Sequence, residues 1–256
     1  MNLSLLRLLL SDLAEKEAAV DALWVFRHWV VAKAGRYGIA SIPRPSVGDL
    51  CCGNTDISSW RGRPIKDVVL EGAVSDEVVH RSASAACLNA AVRTGESLFE
   101  GNAMTPFSEL VKTERSCFIG HFEEGARWRE AGYPVSIVEL EPRPGDIHWN
   151  DADAVLERAS LVFLTGLTLL NDTFDQVTAR TPNARLRILM GPTVPPSERL
   201  LDRGMHVVGG TTVVNPELLL EYFQYGGTSV KHMPPGAIRR FNIVHPDATK
   251  EISHVA

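Results

Sequence analysis

Five times between Ser116 and Gly226 an apolar run closes on a small or acidic cluster, and a helix-like segment follows. The runs cover residues 117–119, 135–138, 161–164, 186–190 and 206–208. The clusters are Gly120-His121, Glu139-Leu140-Glu141, Thr165-Gly166, Gly191-Pro192-Thr193 and Gly209-Gly210-Thr211. Strands that alternate with helices favour a parallel sheet with helices on both faces. The carboxyl ends of such strands share one edge, and ligands bind where the strand order reverses. The pattern predicts an α/β protein whose five clusters, distant in sequence, meet in one crevice.

The first hundred residues read differently. A helix is expected over residues 3–19, then two extended stretches, 23–32 and 39–42, joined through Gly35-Arg36-Tyr37-Gly38. Glycines bracketing a short polar insert are a hairpin signal, and the tip could reach over the crevice. Helices are expected from residue 65 and over 82–92; the second is rich in alanine and serine, which lets another element approach closely. Strands followed by helices suggest a smaller α+β unit. The glycine-rich stretch 95–105 is the expected boundary, giving units 1–104 and 105–256. In the second unit, Asn150 or Asp151, Asn171 or Asp172, and Asn215-Pro216 are candidate helix caps, while Gly132, Gly204 and Gly226 are placed to end helices. Residues 239–244 could add an edge strand.

A net charge of -5 over 256 residues gives no electrostatic footprint for nucleic acid. No run approaches the length of a membrane span, and the leucine-rich start lacks the basic flank of a signal peptide; the cytosol is the expected compartment. Cys87 and Cys117 sit in apolar surroundings and read as packing residues, whereas Cys51-Cys52 reads either as a pair of loop thiols or as a soft-metal or redox site. The histidines show no HxxxH or HExxH spacing.

The turn Gly120-His121-Phe122-Glu123-Glu124-Gly125 is not a GxGxxG loop. Glutamates at a helix start already satisfy its dipole and repel a pyrophosphate, which disfavours ordinary dinucleotide binding. Glu139 and Glu141, two apart at a strand end, are expected to share a face, where paired carboxylates bind a hard cation or accept ribose hydroxyls. Glu139 lies 19 residues after Gly120, near the acidic position of nucleotide-binding folds. Thr165, Gly166, Thr168 and Asn171 offer oxygen and amide groups beside an exposed backbone, and Gly191, Pro192, Thr193, Gly209, Gly210 and Thr211 repeat that theme. Asn89, an amide in an apolar helix, either bonds between elements or faces the crevice.

Thr165-Gly166 through Asn171-Asp172-Thr173, then Leu189-Met190-Gly191-Pro192-Thr193, Gly204 through Gly209-Gly210-Thr211 and Asn215-Pro216, resemble the putative heavy-metal chelation family, a domain of unknown function. Gly38-Ile39-Ala40-Ser41 and Ser84-Ala85-Ala86-Cys87-Leu88-Asn89-Ala90 resemble its companion domain. The resemblance spans nearly the whole chain. It implies an enolase N-terminal-like domain joined to a Rossmann-like domain, with a site between them. The expectation is a protein that binds a divalent metal ion, metal-chelate or other small molecule, with Glu139, Glu141 and His121 as candidate metal ligands. The alternative is an enzyme using a nucleotide-type cofactor such as S-adenosylmethionine. Turnover and self-association as a homo-oligomer stay open.

Overall fold

Residue Gly38 has no room for a side chain: a Cβ there would stand 2.3 Å from both the Ala86 carbonyl oxygen and the Ala90 nitrogen. That contact organises the N-terminal half. The computed structural model describes residues 3–15, 17–43 and 56–252, so Cys51-Cys52 lies outside the described residues. Helix α1 (Leu3–Leu10) precedes an antiparallel sheet of β1 (Ala22–Val25), β2 (Trp29–Ala34) and β3 (Arg36–Ser41). Helices α2 (Ile65–Ala73) and α3 (Val78–Ala91) follow, and the small residues of α3 let its backbone lie directly on β3 at Gly38.

Three expectations for this unit are corrected. The first helix stops at Leu10 rather than continuing to residue 19. Leu13 and Ala19 instead form antiparallel bridges with Val92 and Pro64, which buries Leu13 and Val20. The first extended stretch is two strands, reversing between Phe26 and Trp29. The next reversal turns on Gly35 alone (φ 71°), so Arg36, Tyr37 and Gly38 belong to β3 and form no projecting tip. The Arg36 guanidinium instead donates to the Val92 carbonyl and to Thr94 Oγ1.

After the short helix α4 (Ser108–Val111) the chain alternates as its apolar runs require: β4 (Ser116–Ile119), α5 (Glu123–Glu130), β5 (Val135–Glu139), β6 (Ile147–His148), α6 (Asp153–Arg158), β7 (Leu161–Thr165), α7 (Phe174–Arg180), β8 (Leu186–Met190), β9 (Val207–Val213), α8 (Pro216–Gln224), β10 (Ile238–Val244) and α9 (Thr249–Ile252). The seven strands lie in the order β10-β9-β8-β7-β4-β5-β6, all parallel except β10. The chain winds outward from β4 through β5 to β6, then returns to the other side of β4 as β7. The reversal therefore falls between β4 and β7, the arrangement of a doubly wound sheet.

Successive strand residues feed opposite faces, as the two-residue period demands. Cys117, Ile119, Val162, Leu164 and Val208 join one core with α6, α7 and the N-terminal unit. Phe118, Ile137, Leu161, Phe163 and Val207 join another with the segment 103–111, α5 and α9. Both faces are thus covered, which explains why the strands read as unbroken apolar runs.

Asn215 caps α8 by accepting from the Glu217 and Leu218 amides, and Gly226 (φ 87°) follows its end. Asn150 and Asp151 do not cap α6: they form a 3-10 turn whose start is held by His148 Nδ1. Asn171 does not cap α7 directly; its Oδ1 accepts from the amide and hydroxyl of Thr173. The stretch Gly209-Gly210-Thr211 is not a turn after a strand but the middle of β9, because β10 pairs along it.

Candidate functional site at the carboxyl edge

The strand order brings the carboxyl ends of β4, β5 and β7 together at the reversal, where a cleft of about 460 Å³ opens. Gly120, His121, Glu139, Glu141, Thr165, Thr168 and Asn171 line it, with Arg143, Trp149 and Pro43 of the N-terminal unit. Gly120 adopts φ 109°, and a Cβ on it would come 2.7 Å from Thr165 Cγ2. The close packing of β4 and β7 at their ends therefore requires glycine.

Glu139 ends β5. Burial raises the pKa of its carboxyl above the ordinary value; the backbone N–H groups of His121 and Leu140 donate to it and oppose the rise. Glu141 lies beyond the strand, so the expected same-face pairing with Glu139 does not arise from strand periodicity, although both reach the same cleft. His121 Nδ1 is buried without a hydrogen-bond partner and stands 3.6 Å from Asp146 Oδ2. The side chain of Asp146 is fully buried and is held by Arg129 Nη1 at 2.7 Å and by the Arg143 amide at 3.1 Å. Thr168 Oγ1 donates to the Thr165 carbonyl at 2.7 Å, shaping the 3-10 turn after β7.

The remaining expected residues separate into two groups. Gly191, Pro192, Gly209, Gly210 and Thr211 line a neighbouring cavity of about 200 Å³, which meets the main cleft at Thr165. The single crevice read from the sequence is thus two adjoining compartments. Gly166, Thr193 and Asn89 line neither. A Cβ on Gly166 would meet Val194 Cγ2 at 2.8 Å, so this glycine serves packing. Thr193 Oγ1 accepts from the Ser41 amide at 3.0 Å, and Asn89 Nδ2 donates to the carbonyls of Ile39 at 2.8 Å and Pro192 at 3.3 Å. These two residues tie the N-terminal unit to the turn after β8. Trp149, Arg143 and Asp146 carry no signal in the sequence; they flank the short strand β6, whose two residues leave no periodic pattern.

The donor set bears on metal binding. Among the described residues no group of three or more His, Cys, Asp or Glu side chains is arranged to hold a metal ion. The expected trio Glu139, Glu141 and His121 is therefore not assembled as a metal centre. Glu139 is engaged by backbone amides, and the imidazole of His121 lies against a carboxylate already held by arginine. Cys87 and Cys117 are buried, and burial pushes each thiol up to about 12, so neither offers a thiolate. The residues described do not fit a closed centre for a bare heavy-metal ion, which prefers thiolate or imidazole donors.

An α/β protein with a cleft at the reversal of a doubly wound sheet is the class that the fold defines. Within that class the chain belongs to the family DUF364, described as "Putative heavy-metal chelation", whose profile matches residues 102–242. DUF4213, which carries the same description, matches residues 7–92. An uncharacterised protein of Methanocaldococcus jannaschii is 29% identical over 168 residues, 62% of this chain and 64% of that protein; the match thus spans less than two thirds of the relative. Two crystal structures of DUF364 proteins of unknown function share the fold. The one from Desulfitobacterium hafniense has a TM-score of 0.77 at 20% identity, covering 94% of this chain and 97% of its own. The one from Pyrococcus horikoshii has a TM-score of 0.73 at 17% identity, covering 94% and 100%. No helix among the described residues is long and apolar enough to cross a membrane.

Proposed function

We propose that the protein binds a small molecule that carries its own metal-chelating groups, free or as the metal complex, in the cleft between β4, β5 and β7. One observation carries this reading. The cleft gathers Glu139, Glu141, His121, Thr165, Thr168 and Asn171, yet the described residues assemble no three-ligand site for an ion alone. A ligand that supplies the donors needs from the protein only hydrogen bonds, charge and shape, and those are what the cleft offers. Glu139 and Glu141 would meet amino or hydroxyl groups of the chelator. Trp149 gives an apolar wall, and Thr165 and Asn171 add polar contacts. The units 1–104 and 105–256 act together, since Pro43 of the first lines the cleft of the second. We place this activity in the cytosol.

Calorimetry tests the proposal with Ni²⁺ and Co²⁺ alone, nitrilotriacetate alone, and the one-to-one complexes. The expected result is saturable heat for the complexes, little for the bare ions, and at least tenfold weaker binding in Glu139→Gln and Glu141→Gln. Bare ions binding as tightly as the complexes, or no heat from any of them, would overturn it.

A second reading is favoured by one feature. Glu139 ends the strand beside β4, the place from which an acidic side chain accepts ribose hydroxyls in nucleotide-binding sheets. Against it, α5 starts with Glu123 and Glu124 where a phosphate would sit. A thermal-shift comparison of S-adenosylmethionine, NAD and ATP with the chelates decides between them, since a ligand of the native state raises the Tm.

A further inference from the structure

The smaller cavity takes part of its wall from β10. Asn242 on β10 is fully buried and lines it. Its Nδ2 donates to the carbonyls of Phe99 at 3.1 Å and Gly101 at 3.2 Å, which fixes the amide orientation. Its Oδ1 then accepts no hydrogen bond, although it is buried. A buried acceptor without a donor is rare in folded proteins and calls for a partner. The backbone is cut back around this oxygen: Gly209 pairs with Asn242 in the ladder, and a Cβ there would stand 2.7 Å from Oδ1.

The walls define the rest of an occupant. Met104, Met190 and Phe122 supply apolar surface. Lys231 lines the cavity too, but its ammonium is neutralised by Glu123 at 2.8 Å and Glu124 at 3.1 Å. Arg240 lies two residues before Asn242 on β10, so both side chains belong to one face of the sheet. It is exposed, and it forms no ion pair with a carboxylate of the described residues. The cavity thus brings together, in about 200 Å³, a buried unpaired acceptor, apolar walls and an arginine without a carboxylate partner among the described residues.

We propose that this compartment is a second ligand site, and that it takes a small apolar carboxylate bearing an N–H or O–H donor, of the size and chemistry of an α-amino or α-hydroxy acid. The carboxylate meets Arg240, the amino or hydroxyl group donates to Asn242 Oδ1, and the side chain packs on Met104 and Met190. The inference does not depend on what fills the larger cleft. Because the two compartments meet at Thr165, a ligand in each would lie side by side.

Methyl-labelled methionine reports the site directly, since Met104 and Met190 line the cavity while Met205 and Met233 do not. The probes are L-leucine, 2-hydroxyisocaproate, 4-methylvalerate, which lacks the donor, and isoamylamine, which lacks the carboxylate. The expected result is saturable shifts of the Met104 and Met190 methyl signals with the first two. At least tenfold weaker binding is expected for the last two and for L-leucine in Arg240→Gln. Arg240 is exposed, so that variant should fold; Asn242→Ala is the second test, expected to abolish the preference for the donor-bearing acids if it folds. No saturable shift with L-leucine or 2-hydroxyisocaproate would overturn the proposal. So would equal shifts at Met205 and Met233, or binding unchanged in Arg240→Gln.

Discussion

Glu139 shows how one side chain records its surroundings. Burial raises its pKa, and two backbone amides only partly oppose this. In the interval between the ordinary carboxylate value and the raised one, the folded chain keeps a proton that the unfolded chain has released. The stability tied to this residue is therefore fully present below the ordinary value and lost as pH rises through the raised one. Glutamine removes the titration while keeping the shape. Measured by urea unfolding from about pH 4 to about pH 7, a span enclosing the usual glutamate pKa, the stability difference between wild type and Glu139→Gln should move against the wild type and then level off. A difference that does not vary with pH would contradict the assignment. The position of Glu139 on the cleft was legible from its place at a strand end. Its amide partners were not, because the His121 amide reaches it only once β4 and β5 lie side by side.

At the scale of elements, the α3–β3 contact carries the clearest prediction. The obstacle at Gly38 is backbone on both sides, so the helix as a whole must shift to admit a methyl group. Gly38→Ala should destabilise the chain by about 3 kcal/mol, the upper range of overpacking penalties, read as a lower urea midpoint at unchanged slope. The alanine and serine run of α3 announced a close approach, and the structure bears that out. The sequence misplaced the other partner: Gly38 was read as part of a turn, because a glycine needed for its missing side chain looks like one needed for its backbone freedom. The same ambiguity made Gly209 and Gly210 look like a strand end. They lie within β9, facing Asn242 and Phe241, and only the pairing with β10 distinguishes the two cases.

Across the whole molecule the two units share their interior. One buried core runs from Leu5 and Leu9 of α1 through α3 to Ile119, Leu164 and Val208 of the large sheet. Polar ties reinforce it: Asp12 accepts from Ser197 Oγ at 2.8 Å, and the stretch expected as a boundary is pinned by the Gly95 amide on the Pro196 carbonyl and the Leu98 amide on that of Asn242. A shared core predicts one cooperative transition. Far-UV circular dichroism and tryptophan fluorescence, which samples Trp60 in one unit and Trp149 in the other, should give coincident urea curves; two separated transitions would show that the units unfold independently. The sequence alone determined the alternation of strands and helices, the parallel sheet and the edge on which Gly120, Glu139, Thr165 and Gly191 gather, because a strand buried on both faces must be apolar throughout and its chain must turn at a small or polar residue. Only the tertiary structure decided that this edge holds two compartments, that Asn89 and Thr193 clamp the units together, and that Asn242, buried in the wall of one cavity, leaves its acceptor without a donor. Those outcomes depend on which side chains meet across strands far apart in the chain, and no local pattern encodes that.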